Sequence, residues 1–211
     1  MKTKYLMNNK KDINIAAKII KKGGIVAFPT ETVYGIGVNI FDEDAANLLY
    51  AIKKRDINKP LSAHISDISM LDLVSDFVPE IFFELANIFL PGALTMIVKA
   101  KSTIPLNILA NTGTIAIRFP SNEICRDFIN AVGFPLAATS ANISGNISAV
   151  TPIEVNEELS GKINAIIDGG ECTLKQESTV ISLVGSPTII RVGAIKLEEI
   201  EEKIGRNIFT Y

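Results

Sequence analysis

Residues 23–37, GGIVAFPTETVYGIG, limit the folds open to this chain more than any other stretch. A glycine pair releases a four-residue apolar run, residues 25–28, of the length of a buried strand. Pro29 ends it, because proline has no N–H for a ladder and holds the preceding residue extended. Thr30, Glu31, Thr32 and Tyr34 follow directly, closed by Gly35 and Gly37. A buried strand that delivers hydroxyls and a carboxylate at its end predicts the rim of a crevice. In open α/β sheets ligands sit at such rims.

The chain then alternates the two hydrophobic periods. Residues 12–22 and 42–55 repeat apolar positions at helical spacing, with Asp12 and Asp42 as predicted N-caps. Residues 66–75, 79–89, 121–132 (capped by Ser121) and 196–204 read as further helices. Thr151-Pro152-Ile153-Glu154 is a capping box with proline at the first helical position. Short apolar runs at 61–65, 94–99, 114–119, 135–139, 163–168, 179–184 and 188–192 read as strands. With βα units and a hairpin between 178 and 192, the expectation is one α/β domain over 1–211. Its sheet should be mixed, twisted and open, with helices flanking it.

At 211 residues the chain can bury a substantial core. Although 47% of residues are hydrophobic, no run approaches the roughly 18 apolar residues of a membrane span. The first residues carry lysines and no apolar leader, so the expected location is cytoplasmic. A net charge of −2 gives no global basic footprint for nucleic acid. Two cysteines offer neither a metal spacing nor a disulfide framework, and Cys125 shares an apolar face with Phe128, Ile129 and Val132. With His64 as the single histidine, His-rich metal sites are disfavoured.

Four predicted strands end in polar clusters: 30–32, Arg118 with Thr112 and Thr114, 140–142, and 176–179. Cations stand at Lys53, Arg55, Lys59, Arg118 and Arg191. Each cluster alone is ordinary turn chemistry. Together they form the inventory for a polyanionic ligand. The P-loop pattern is absent, and Gly35-Ile36-Gly37 fails as a dinucleotide fingerprint because Ile40 replaces the third glycine.

Seven segments in register resemble the YrdC-like family: FPTETVYGIG (28–37), Lys53-x-Arg55 with Asn58-Lys59-Pro60-Leu61, PGALT (91–95), Arg118-Phe119-Pro120, ATSANISG (138–145), Ser178-Thr179-Val180 and Ile190-Arg191-x-Gly193. The motif-bearing core spans about 12–204. The resemblance implies an open sheet with a large concave ligand cavity. Catalytic members of that family are threonylcarbamoyl-AMP synthases, nucleotidyltransferases that join L-threonine, bicarbonate and ATP and release pyrophosphate. Their product serves threonylcarbamoyladenosine modification of tRNA, through a downstream tRNA threonylcarbamoyl transferase complex.

The resemblance places threonine against Thr32, His64, Arg118, Ala138 and Ser178. It places ATP, accompanied by Mg²⁺, against Arg55, Lys59, Thr114, Ser140, Asn142, Ser148 and Arg191. Lys53, Arg55 and Lys59 form the catalytic cation set. Ala93 replaces the proline common in the family's PGPxT segment, and the additional carboxy-terminal domain of longer members is not expected. Glu31 has two open roles, orienting the hydroxyls beside it or holding the metal. Tyr34 either caps the pocket or fills the core. Two other activities stay open: a module binding double-stranded RNA or tRNA, and a carbamoyl-adenylate enzyme using carbamoyl phosphate.

Overall fold

Local chemistry sets most element boundaries. The computed structural model describes residues 2–205 and 207–210. The expected span of 1–211 therefore includes Met1, Arg206 and Tyr211, which lie outside the described residues. In chain order the elements are β1 (Lys4–Met7), α1 (Lys10–Lys21), β2 (Val26–Phe28), β3 (Gly35–Asn39), α2 (Glu43–Lys53) and β4 (Ser62–His64). A short 3₁₀ helix (Ile68–Leu73), α3 (Glu80–Phe89), β5 (Leu94–Lys99), β6 (Thr114–Arg118), α4 (Glu123–Val132) and β7 (Leu136–Ser140) follow. The chain closes with α5 (Pro152–Leu159), β8 (Ala165–Asp168), β9 (Thr179–Ser182), β10 (Thr188–Arg191), α6 (Leu197–Ile204) and β11 (Phe209–Thr210).

Asp42 caps α2 by accepting from the Ala45 N–H, and Thr151 and Glu154 close the capping box of α5. Two caps lie one position or more from where the sequence suggests. Asn9, not Asp12, starts α1, and Asp12 accepts in return from the Met7 N–H at 2.9 Å. Asn122, not Ser121, starts α4. The predicted helix over 66–75 is a 3₁₀ turn held by Asp67. Strands β1, β3 and β11 are additions to the predicted set, β3 alternating Ile36 and Val38 with glycines that read as turn residues.

Among the described residues the strands form one sheet in the order β1-β8-β2-β3-β7-β4-β6-β5-β9-β10-β11. Pairing is mixed: β1, β2 and β8 run parallel, as do β4 with β6 and β5 with β9, while β2–β3–β7–β4, β5–β6 and β9–β10 are antiparallel. Side chains alternate across it. Ile25, Ala27, Ala137, Ile117 and Met96 point to a core shared with α2, α3, α5 and α6. Val26, Phe28, Leu136 and Ile167 point to a second core, under α1 and α4. Cys125 is buried there with Phe128, Ile129 and Val132, as the sequence suggests.

No residue of β4, β6, β5, β9 or β10 belongs to that second core. The helices therefore cover only half of this face. The uncovered half carries Ser62, His64, Arg118, Thr95 and Val180, brought level by register: His64 opposite Arg118, Arg118 opposite Thr95, and Thr95 opposite Val180. A polar surface on an otherwise two-layered sheet is the floor of the site.

Candidate active site

Two contiguous lobes open on this floor, a larger one of about 260 Å³ and a smaller one of about 190 Å³. Arg55, Ser140 and Glu177 line both. The larger lobe brings together Thr32, His64, Arg118, Ala138, Ser178 and Arg191 from six separate segments. The smaller lobe gathers Lys53, Lys59, Asn142 and Ser148.

The turn after β2 is self-bonded. The Thr30 hydroxyl donates to the Val33 carbonyl at 2.5 Å, accepts from the Thr32 N–H at 3.2 Å, and lies 2.9 Å from the Thr32 hydroxyl. This network fixes Thr32 at the lobe wall. Arg118 is 2% exposed. Its Nη2 donates to Glu31 Oε1, and its Nη1 donates to the carbonyls of Gly92 and Leu94. The other Glu31 oxygen accepts from the Ser121 N–H at 3.1 Å. Glu31 is thus a partner of Arg118 and of the Ser121 N–H, a placement that neither of its two expected roles named. A buried guanidinium needs such a counter-charge, since desolvation alone lowers its pKa.

His64 stacks edge-on against the Phe28 ring, centroids 5.8 Å apart, with Nδ1 3.4 Å from the Ser62 hydroxyl. Burial, and then the Arg118 charge, bring its pKa down to about 3. His64 is therefore a neutral imidazole across the physiological range and adds no charge beside Arg118. Stability follows from the sign. An unfolded histidine binds a proton near 6.5 and the folded one only near 3, so stability is complete above about 6.5 and falls as pH drops toward 3. We expect a slope of about 1.4 kcal/mol per pH unit from this group, missing in His64→Gln. Equal urea midpoints against pH for both proteins would refute it.

On the far wall the Ser178 hydroxyl meets Thr95 Oγ1 at 2.8 Å. Arg191 donates Nε and Nη2 to the Ser178 carbonyl at 3.2 and 2.8 Å, and Nη1 to Glu177 Oε2. Ser148 donates to Glu177 Oε1 at 2.8 Å. Glu177 and Thr95 are site residues that the sequence pattern left unassigned, although Glu177 falls within a polar strand-end cluster. The Ser62 hydroxyl donates to the Ala138 carbonyl at 3.0 Å, so the backbone at Ala138 is a fixed part of the wall.

Arg55 is anchored by its own loop, donating Nε to the Lys59 carbonyl at 3.1 Å and Nη2 to the Pro60 carbonyl at 2.9 Å. Lys53 is placed differently from its neighbours in the catalytic cation set. It is 1% exposed, and its ammonium donates to the carbonyls of Ser140 (2.5 Å) and Asn142. Burial brings its pKa down to about 8. Lys53 clasps the turn after β7 and leaves the smaller lobe's free cationic N–H groups to Arg55 and Lys59. Ser140 donates to Asn142 Oδ1 at 2.6 Å, and Asn142 Nδ2 donates to the Asn146 carbonyl at 2.7 Å, so this turn is stiff.

Thr114 stands apart from both lobes. It pairs with the Thr112 hydroxyl at 2.9 Å, four residues along β6 from Arg118 or about 13 Å. Tyr34 has both roles left open for it: its ring is fully buried and borders the larger lobe, while its hydroxyl donates to the Gly170 carbonyl at 2.8 Å.

The family model Sua5_yciO_yrdC, described as "Telomere recombination", matches residues 18–193. The chain belongs to the Sua5/YciO/YrdC family. It is 43% identical over 194 residues to the threonylcarbamoyl-AMP synthase of Pyrococcus abyssi, covering 92% of this chain and 57% of that protein. The putative threonylcarbamoyl-AMP synthase of Methanocaldococcus jannaschii is 38% identical, with 90% of each chain covered. Among solved structures, P. abyssi Sua5 complexed with L-threonine superposes with a TM-score of 0.95 at 39% identity, over 100% of this chain and 63% of that one. Escherichia coli YciO superposes at 0.82 and 27% identity, over 93% and 98%. The chain thus spans somewhat under two thirds of the Sua5 protein it matches in structure. Among the described residues, no helix of this family member is long and apolar enough to cross a membrane.

Proposed function

We propose that this chain makes threonylcarbamoyl-AMP from L-threonine, bicarbonate and ATP, releasing pyrophosphate. The observation that carries this reading is the division of one cavity into a hydroxyl-rich lobe around Arg118 and an adjoining lobe bearing Lys53, Arg55 and Lys59, with Arg191 on the larger lobe's side of Glu177. The first suits a small zwitterion. The guanidinium of Arg118 faces its carboxylate, and the hydroxyls of Thr32 and Ser178 meet its own hydroxyl and amine. The second suits a triphosphate. The superposition on a threonine-bound relative supports the first assignment.

The reaction needs no nucleophile from the protein. The free amine of threonine captures bicarbonate carbon with loss of water, giving a carbamate. A carbamate oxygen attacks the α-phosphorus, and the bond to pyrophosphate breaks. Positioning and charge stabilisation suffice for such a transfer. Neutral His64 leaves the amine free of an added positive neighbour. Mg²⁺ would enter as part of the nucleotide substrate, neutralising phosphate charge, and Asp56 is a carboxylate of the smaller lobe beside which it would sit. The product is a labile mixed anhydride, consumed by a tRNA threonylcarbamoyl transferase complex in the cytoplasm.

Pyrophosphate release measured with threonine or bicarbonate withheld in turn tests this reading. The expected result is dependence on both. Release indifferent to both removes it, and dependence on carbamoyl phosphate instead favours the related carbamoyl-adenylate chemistry.

A further inference from the structure

Glu177 is out of place in a cavity read as a nucleotide site. The carboxylates lining the two lobes are Asp56 and Glu177, among the described residues. Asp56 is occupied within its own loop, accepting from the N–H and side chain of Asn58 at 2.9 and 3.0 Å. Glu177 instead stands where the lobes meet, beside Arg55 and Arg191. A bare carboxylate there repels a triphosphate, so its presence needs a compensating role. Folding stability does not supply one: the Glu177 and Arg191 side chains are 38% and 46% exposed, and ion pairs so exposed contribute little.

The geometry gives Glu177 a different task. One carboxylate oxygen takes the Ser148 hydroxyl and the other takes Arg191. Ser148 belongs to the segment between β7 and α5, and Arg191 ends β10. The carboxylate is therefore a bridge from the wall of the smaller, nucleotide lobe to the wall of the larger one. Its own backbone is fixed, because the Glu177 carbonyl accepts from the Ala194 N–H at 2.9 Å. The close packing extends to Gly193, where a Cβ would come within 2.2 Å of the Glu177 carbonyl oxygen. A bridge on a rigid base can set the orientation of both groups it holds.

We propose that Glu177 is a positioning residue for nucleotide binding, holding Ser148 and Arg191 in the arrangement the phosphates meet. The inference rests on the nucleotide reading above. Calorimetric titration of Mg-ATP, and separately of L-threonine, into the full chain tests it. Glu177→Ala removes the bridge and is expected to weaken ATP binding about tenfold or more, with threonine affinity within about twofold. Glu177→Gln loses the charge and keeps one acceptor and one donor, so it should stay within about threefold of the parent. Ser148→Ala cuts the same bridge from the other side, and the double variant should be no weaker than Glu177→Ala alone.

Equal losses in the Ala and Gln variants would assign the effect to charge and overturn the bridge. Unchanged or tighter ATP binding by Glu177→Ala also overturns it, leaving only a repelling carboxylate. Parent protein that binds threonine and not ATP overturns the nucleotide reading itself, and this inference with it.

Discussion

Replacing Glu31 by alanine is expected to lower folding stability by about 3–5 kcal/mol, because it leaves a buried guanidinium without its counter-charge. The reason is asymmetry. Arg118 is buried at the end of β6, and Glu31 is the carboxylate that balances it. Removing the partner leaves a guanidinium in a poorly solvated site with neutral groups alone to meet it, the carbonyls of Gly92 and Leu94 and the Thr32 hydroxyl. It also strips the Ser121 N–H of its acceptor, opening the turn that leads into α4. Urea denaturation reads the loss as a shifted midpoint at unchanged slope. The surface pair of Lys101 and Asp76, 3.0 Å apart and largely solvated, is the internal control: Asp76→Ala should cost about 0–1 kcal/mol. A Glu31→Ala midpoint as close to the parent as that of Asp76→Ala would refute the pairing.

The sequence carries the position of Glu31 but not its partner. Residues 28–37 announce a strand that stops at proline and turns, and that much is local chemistry. Glu31 and Arg118 stand 87 positions apart and are brought together through the β2–β3–β7–β4–β6 registers, which no local pattern encodes. The same limit explains Thr114. Its side chain shares a face with Arg118, but distance along the strand, invisible to motif matching, carries it away from both lobes. Helix α2 shows a subtler failure. Its apolar residues suggest a face of Ala45, Leu48, Leu49 and Ile52, yet the buried set is Ala45, Ala46, Leu49, Tyr50 and Lys53. The face is rotated because Lys53 is drawn inward by the carbonyls of the β7 turn.

Gly35 and Gly37, which fail as a nucleotide fingerprint, have a packing reason instead. A Cβ on Gly35 would meet the Phe28 ring at 2.8 Å, and one on Gly37 at 3.1 Å. The glycines admit the Phe28 ring against β3, and that ring in turn backs His64. Their service to the site is indirect. Most of the polar strand-end grouping was legible: Thr30, Thr32, Arg118, Ser140, Asn142, Glu177 and Ser178 meet around the two lobes, while Thr112 and Thr114 do not.

Arg55→Ala and Lys59→Ala should each lower kcat/KM for pyrophosphate release by about 10²–10³, or about 3–4 kcal/mol at the transition state. Negative charge shifts onto the departing pyrophosphate as the α-phosphorus bond breaks, and cations already fixed there stabilise that shift without rearranging. Arg55 is fixed in this sense. Two of its nitrogens are held by the Lys59 and Pro60 carbonyls, and the Tyr50 hydroxyl donates to the same Lys59 carbonyl at 3.0 Å. The N–H groups outside those bonds are the ones open to phosphate. Arg55→Lys keeps the charge and loses the fork, so its activity should fall between those of the parent and the alanine variant. Lys53→Ala should behave differently: it removes the clasp on Ser140 and Asn142, so its loss should appear in the urea midpoint as well as in turnover. Near-normal release from both Arg55→Ala and Lys59→Ala would take the triphosphate out of the smaller lobe, because a triphosphate bound there should feel the loss of either cation.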